Sequence, residues 1–181
     1  MADKPKMTRF NSEEGKVIFE SLNKHYTIIA PVEKPGKGRF SDTSLITYEQ
    51  IHSFDEIEFF KKAAFSAKSV FLPIREALLN FQNNKIEEAD IEIRPTIIFL
   101  RSCDIQAIKV MDTHFLNDAQ FEDFYYKRRR QKVKFFLIEC EKPFENCFCV
   151  SLGRNKTDNY SAFMRKTDSG YEIQIKDKEL E

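Results

Sequence analysis

Two short apolar segments decide the fold class of this chain, Thr96-Ile-Ile-Phe-Leu100 and Val133-Lys-Phe-Phe-Leu-Ile138. Each is almost continuously apolar, which is typical of a strand that is buried on both faces of a sheet. Helical patterns lie between them, and two strands joined by a helical crossover are usually parallel neighbours. We therefore predict an α/β fold, in which a mixed sheet contains a parallel βαβ crossover and carries flanking helices.

The crossover contains two helical patterns. Ile105, Ile108 and Met111 are spaced for one face of the first helix. The second pattern has an apolar face and a basic end, marked by Phe121, Phe124, Tyr125, Arg128 and the basic run 127–130. A basic run can contact nucleic-acid phosphates. However, 29 Lys+Arg are balanced by 29 Asp+Glu, and the helix dipole favours cations at this end, so we expect no nucleic-acid partner.

Outside the crossover, local signals predict further elements. Asn11 and Glu14 form the capping pair of a helix whose apolar face carries Val17, Ile18 and Leu22. The other predicted elements are strands over 26–30 (ended by Pro31), 44–48, 160–164 and 171–175, a helix over 55–65 and a turn at 83–84. We place them in a single domain over residues 11–176, between a flexible segment 1–10 and a polar tail 177–181.

Composition limits the class of protein. The chain has 181 residues, of which 41% are apolar, so one domain with a genuine core is expected. No apolar stretch approaches the roughly 20 residues of a membrane span, and the first residues lack the apolar run of a secretory signal. We therefore expect a cytoplasmic protein without a membrane partner.

The four cysteines follow the two strands that decide the fold. Cys103 comes just after the first strand and Cys140 ends the second, so both should lie at the carboxyl edge of the sheet, where open α/β folds bind ligands. The loop with Pro143 is long enough to turn back over that edge with Cys147 and Cys149. The sequence thus predicts that the four thiols converge.

Three interpretations of the cysteines stay open at this point. Asp104 as a helix N-cap would place backbone N–H groups near Cys103 and favour the thiolate. Four thiolates suit either tetrahedral Zn²⁺ or an iron–sulfur cluster, and the spacing chooses neither. Ordinary buried thiols are equally compatible with the pattern. No histidine is placed to activate a cysteine, so we assign no catalytic residue.

Longer motifs around the cysteines resemble a known family. The segments are 101–108 (Arg-Ser-Cys-Asp-Ile-Gln-Ala-Ile) and 136–153, which includes Cys147-Phe148-Cys149. They resemble the amino-terminal region of the A-type component of anaerobic sulfite reductase and, more distantly, sulfhydrogenase beta subunits. The resemblance extends from about residue 26 to about residue 165.

This resemblance implies a non-catalytic iron–sulfur subunit that transfers electrons in an NADH-dependent, cytoplasmic oxidoreductase complex. A flavin (FAD) subunit would take hydride from NADH, and a sirohaem-bearing catalytic subunit would reduce sulfite to sulfide. The candidate ligands of a cluster, expected to be 4Fe-4S, are Cys103, Cys140, Cys147 and Cys149. The basic run 127–130 would then contact a partner subunit.

Full-length family members continue into a region with ferredoxin-type Cys-x-x-Cys-x-x-Cys runs, which are absent here. We therefore expect an amino-terminal domain. The alternative functions are a structural or zinc-binding docking module, and the equivalent subunit of a sulfhydrogenase-type complex.

Overall fold

The computed structural model describes residues 7–40, 42–82, 84–89, 93–117 and 120–180. In these ranges the strands are β1 (Met7–Phe10), β2 (Thr27–Lys34), β3 (Leu45–Gln50), β4 (Leu79–Gln82), β5 (Lys85–Glu88), β6 (Thr96–Leu100), β7 (Val133–Ile138), β8 (Ala162–Thr167) and β9 (Gly170–Ile175). The helices are α1 (Ser12–His25), α2 (Ser102–Asp112) and α3 (Phe124–Arg130). A π-helical turn, Thr113–Asn117, continues α2.

A mixed sheet organises the domain. Its strand order is β1-β9-β8-β7-β6-β2-β3, and β4 pairs with β5 as a separate hairpin. The central strands β2, β6, β7 and β8 are parallel, whereas β3, β9 and β1 add antiparallel edges. The register of β6 on β7 runs from Thr96 opposite Val133 to Leu100 opposite Leu137. The predicted α/β fold and parallel crossover are confirmed.

The core lies on both faces of the sheet, which explains why β6 is apolar at consecutive positions. Ile97 and Phe99 join the cluster under α1, whereas Ile98 and Leu100 join the cluster under α2 and α3. All four side chains are fully buried. The ring of Phe99 meets that of Phe136 on β7 edge to face, with centroids 5.1 Å apart. Each face of β6 therefore stabilises a different helical layer.

Helix α1 begins as predicted but presents a different face. The Asn11 side chain accepts from the N–H groups of Glu13 and Glu14, and the Glu14 carboxylate accepts from the Asn11 N–H, which completes the capping box. Val17 is 69% exposed, so its assignment to the apolar face was wrong. The buried stripe centres on Phe19, with Ile18 and Leu22 only partly buried beside it.

Strand β2 does not end at Pro31, as the sequence predicted, but continues to Lys34. The Pro31 carbonyl accepts from the Glu58 N–H, so the backbone of Pro31 points away from β3. Strand β6 pairs with β2 only over 27–29. On the side of β2 that faces β6, the sheet therefore needs no N–H donor at position 31. Proline, which lacks this N–H, is tolerated there.

The predicted helix over 55–65 is wrong. Only the 3-10 turn Phe54–Glu56 forms, and beyond it Ile57 and Phe59 are buried as separate anchors. The Glu58 N–H between them bonds to Pro31, so contact with β2 replaces helical hydrogen bonding. The predicted turn at 83–84 includes Asn84, which has a φ of 56° in the hairpin that joins β4 to β5; residue 83 lies outside the described residues.

The face predicted for α3 is also wrong. Phe121 and Phe124 are exposed, and the buried residue is Tyr126, whose hydroxyl donates to the Asp112 carboxylate at 2.6 Å. Asp123 caps the helix by accepting from the Tyr126 N–H. The basic run does end this helix, as predicted. Its four cations pair within the chain, as Lys127–Glu122, Arg128–Glu88, Arg129–Glu76 and Arg130–Asp112.

Both terminal segments contain ordered elements. Met7–Phe10, placed by the sequence in the flexible segment, forms β1 on β9. Lys134 on β7 pairs with Asp177 at 2.6 Å and with Glu179 at 2.8 Å, so the tail packs on the sheet through charge. The limits of the domain stay a prediction. Among the described residues, no helix is long and apolar enough to cross a membrane.

Gly170 offers a test of the β1–β9 edge. Its φ is 143°, and a Cβ there would lie 2.3 Å from the Phe10 carbonyl oxygen. We expect Gly170→Ala to lower the free energy of unfolding by about 2–4 kcal/mol, because strain and a steric clash each cost ~1–3 kcal/mol.

Gly153→Ala is the matched control in urea unfolding. Gly153 has a φ of 63° but no atom within 4 Å of an added Cβ, so about 1–2 kcal/mol is expected from backbone strain alone. Equal losses in the two variants would contradict the close approach of β1.

Candidate metal centre

Cys103 lies in the first turn of α2, directly after β6. The helix begins at Ser102, and the carbonyl of Arg101 accepts from the N–H groups of Asp104 and Ile105. Asp104 is therefore inside the helix, and its prediction as the N-cap was wrong; Arg101 occupies that position without a side-chain cap. The Asp104 carboxylate instead accepts from the Tyr48 hydroxyl at 3.0 Å.

The Cys103 thiol is not biased toward the thiolate by this position. Burial, followed by the negative charge of Asp104, raises its pKa to about 11, although the backbone N–H of Asp104 acts in the opposite direction. The expectation that the helix start favours the thiolate was therefore wrong for this geometry. A metal cation would reverse the balance, because it stabilises the deprotonated ligand.

Three of the four cysteines line one cavity. Cys103, Cys147 and Cys149 border a space of about 370 Å³, whose other walls come from α2 and from the loop between β7 and β8. Cys140 borders a different cleft of about 430 Å³, together with Phe59 and residues 141–144. The carboxyl edges of β6 and β7 thus hold both groups of thiols, as the parallel pairing requires.

The two groups of thiols are electrostatic neighbours. Charge on Cys149 or Cys140 would raise the pKa of Cys103, and charge on Cys147 or Cys149 would raise that of Cys140. Burial is the largest cause of the raised pKa of Cys140, and Arg101 opposes it. Within the described ranges, no three Cys, His, Asp or Glu side chains are grouped closely enough to hold one metal ion. Ligation by all four cysteines stays a prediction.

The loop that carries Cys147 and Cys149 is built from successive turns. The Cys147 N–H donates to the Phe144 carbonyl at 3.1 Å, and the Arg154 N–H donates to the Cys149 carbonyl at 2.7 Å. Asn146 and Gly153 adopt left-handed φ values of 62° and 63° at the corners. These turns bring both cysteines back over the sheet edge.

Helix α2 clamps this loop through polar side chains that the sequence analysis did not single out. The Ser102 hydroxyl donates to the Arg154 carbonyl at 3.1 Å. The Gln106 amide donates to the Lys156 carbonyl at 3.4 Å and accepts from the Arg154 guanidinium at 3.0 Å. Ser102 and Gln106 flank Cys103 in the sequence, but only the fold shows that they face the loop.

Arg101 was also missed as a site residue. It is 3% exposed, and its Nη2 donates to the carbonyls of Phe59 and Lys61, both at 2.9 Å. Its guanidinium carbon lies 4.9 Å from the centroid of the Phe144 ring. Its buried Nε has no hydrogen-bond partner among the described residues. The signal in the sequence was an arginine between a buried strand and a cysteine.

Comparison with known proteins supports a relation to sulfhydrogenase beta subunits. The chain is similar to the sulfhydrogenase 2 subunit beta of Pyrococcus furiosus, with 28% identity over 169 residues. The match covers 92% of this chain and 47% of that protein, so the chain spans about half the length of this relative. No family model matches the chain. No solved structure matches it either.

The α2 clamp predicts how the loop responds to mutation. We expect Gln106→Ala to accelerate tryptic cleavage after Arg154 and Lys156 about fivefold or more, because each lost hydrogen bond lowers the free energy of local opening by ~1 kcal/mol. Cleavage is measured by mass spectrometry under native conditions. Lys109→Ala, an exposed change one turn along α2, should leave the rate unchanged. Equal rates in wild type and Gln106→Ala would mean that the clamp does not hold the loop.

Proposed function

We propose that this chain is the amino-terminal, iron–sulfur-binding part of an electron-transfer subunit in a cytoplasmic, multisubunit oxidoreductase. The observation that carries the proposal is the placement of four cysteines at one edge of a parallel sheet, three of them around a single cavity. The similarity to a sulfhydrogenase beta subunit supports it independently, because that relative is by its name one subunit of a larger complex.

The donor set fits a cluster better than a single zinc ion. Zn²⁺ binds thiolates at about 2.3 Å, so four ligands of one ion lie within about 4 Å of one another. The thiols here border a cavity and a neighbouring cleft, and the described residues hold no group tight enough for one ion. A cluster contains several irons and is held by thiolates spread around it. We therefore assign Cys103, Cys140, Cys147 and Cys149 as its ligands.

A bound iron–sulfur cluster would supply reversible one-electron transfer. The chain's own residues have three tasks. The start of α2 fixes Cys103, and the Gln106 clamp fixes the loop that carries Cys147 and Cys149. Apolar side chains such as Val110 and Leu152 line the cavity beside the thiols.

We further propose that the electrons come from a flavin subunit reduced by NADH and leave toward a sirohaem-bearing subunit that reduces sulfite. The motif resemblance to the A-type component of anaerobic sulfite reductase supports this complex. Val110, Phe148, Val150 and Leu152 are more than half exposed beside the cysteine loop. Exposed apolar side chains in such a group are typical of a protein contact, as docking of a partner subunit requires.

A second candidate is the equivalent subunit of a sulfhydrogenase-type complex. It is favoured by one specific observation, the similarity to the sulfhydrogenase 2 subunit beta over 92% of the chain. Both candidates assign the same role to the cysteines and differ in the catalytic partner.

Metal analysis tests the ligand assignment. In protein purified without oxygen we expect about four irons and four acid-labile sulfides per chain, and broad visible absorption that bleaches on reduction. Cys140→Ser should lose most of this iron and lower the melting temperature, because ligand binding stabilises the folded state.

His52→Ala and His114→Ala are the controls. Neither histidine borders the cysteine cavity or the neighbouring cleft, so both variants should retain the wild-type iron content. One zinc without sulfide would instead support the docking module. Wild-type protein without any metal would contradict both metal assignments.

The substrate of the complex is tested separately. The tagged chain is purified anaerobically from its own cells with its partners, and sulfite reduction and hydrogen oxidation are measured with a viologen dye. Sulfite reduction with a sirohaem absorption spectrum supports the sulfite reductase. Hydrogen oxidation without sirohaem supports the sulfhydrogenase-type complex.

A further inference from the structure

We propose that Arg101 is a positioning residue of the cysteine site, a buried fixed cation that offsets the charge of the thiolate-bound centre and offers it the Nε hydrogen-bond donor. This inference rests on the proposed function, since it concerns the same four cysteines. It adds a residue that contributes no sulfur ligand.

Arg101 is a buried positive charge. A buried cation is strongly destabilising unless an anion and hydrogen bonds compensate it. Arg101 is 3% exposed, and the partners of its Nη2 are two neutral carbonyls, those of Phe59 and Lys61. Among the described residues no carboxylate forms an ion pair with it. The carboxylate of Asp104 interacts with this cation through charge but is hydrogen-bonded to Tyr48.

Arg101 lies close to the thiols in the fold. It stands two residues before Cys103 and stacks on Phe144, which belongs to the cleft that contains Cys140. Thiolates at these positions would therefore add negative charge near the guanidinium.

The Nε of Arg101 is a hydrogen-bond donor that the described residues leave without an acceptor. The Nε atom is buried and has no partner in the described part of the chain, whereas Nη2 makes two bonds. Buried donors without partners are rare, and one at a candidate ligand site indicates an acceptor that binds there. Sulfur atoms of a cluster accept such hydrogen bonds, and these bonds tune its reduction potential.

Other cations near the site do not share these properties. Lys62 and Arg154 border the cysteine cavity and Lys142 borders the cleft, but all three are exposed. Water screens an exposed charge far more than a buried one. Arg101 is thus expected to dominate the local electrostatic potential.

The expected consequence is a change in reduction potential. A cluster held here would accept one electron from a reduced flavin of a partner subunit, with no bond formed or broken. Arg101 keeps its proton throughout, because a guanidinium does not titrate in proteins. A fixed positive charge stabilises the reduced, more negative state and therefore raises the potential.

The test compares three variants of the full chain, loaded with iron and sulfide under anaerobic conditions. Arg101→Met removes the charge, Arg101→Lys keeps the charge but loses the Nε donor, and Lys62→Met removes an exposed cation that borders the same cavity. Iron content, thermal unfolding and the midpoint potential from a dithionite titration are measured for each. We expect a lower potential in Arg101→Met, a smaller decrease in Arg101→Lys and no change in Lys62→Met.

Each outcome separates this inference from the proposed function. Wild type without iron would overturn the proposed function. Iron in wild type and Arg101→Met at the same potential would overturn only the role of Arg101. If the Met variant does not retain its iron, the Lys variant decides: a decreased potential and a changed spectrum of the reduced centre support the role, and values identical to wild type contradict it. An equal decrease in Lys62→Met would also contradict it.

Discussion

The parallel pairing of β6 with β7 is the constraint on which the rest of the structure depends. It places the carboxyl ends of both strands, Leu100 and Ile138, at the same edge of the sheet. Strand β6 is buried on both faces, so α1 packs on one side while α2 and α3 pack on the other. The start of α2 and the long loop after β7 therefore both lie at that edge. The cysteines that they carry lie there too.

The sequence predicts this central unit well because its signals are local and strong. The predicted bounds of β6 and β7 match the observed ones, because a continuous apolar run indicates a buried strand from its first residue to its last. Predictions failed where tertiary contact outweighed local preference. Residues 55–65 have helical spacing, yet the bond from Glu58 to the Pro31 carbonyl keeps the chain around Glu58 out of a helix. The face of α3 was missed because a tyrosine, rather than a phenylalanine, is its buried anchor.

The candidate site divides in the same way. The edge location of the cysteines follows from topology, which the sequence reveals. The clamp between Gln106 and the Arg154 segment joins residues 48 positions apart, and no periodicity encodes such a contact. No sequence signal predicts a role for Arg101, because only the folded chain shows that its side chain is buried among carbonyls and the Phe144 ring.

The hairpin formed by β4 and β5 is attached to the domain in an unusual way. Every residue of its two strands is exposed, and its links to α3 are the ion pairs Arg128–Glu88 and, just before the hairpin, Arg129–Glu76. The Debye length, over which charges attract each other in solution, falls from about 10 Å at 0.1 M salt to about 3 Å at 1 M. Salt therefore weakens the more exposed Arg128–Glu88 pair more than the largely buried Arg129–Glu76 pair, whereas the sheet is held by apolar burial.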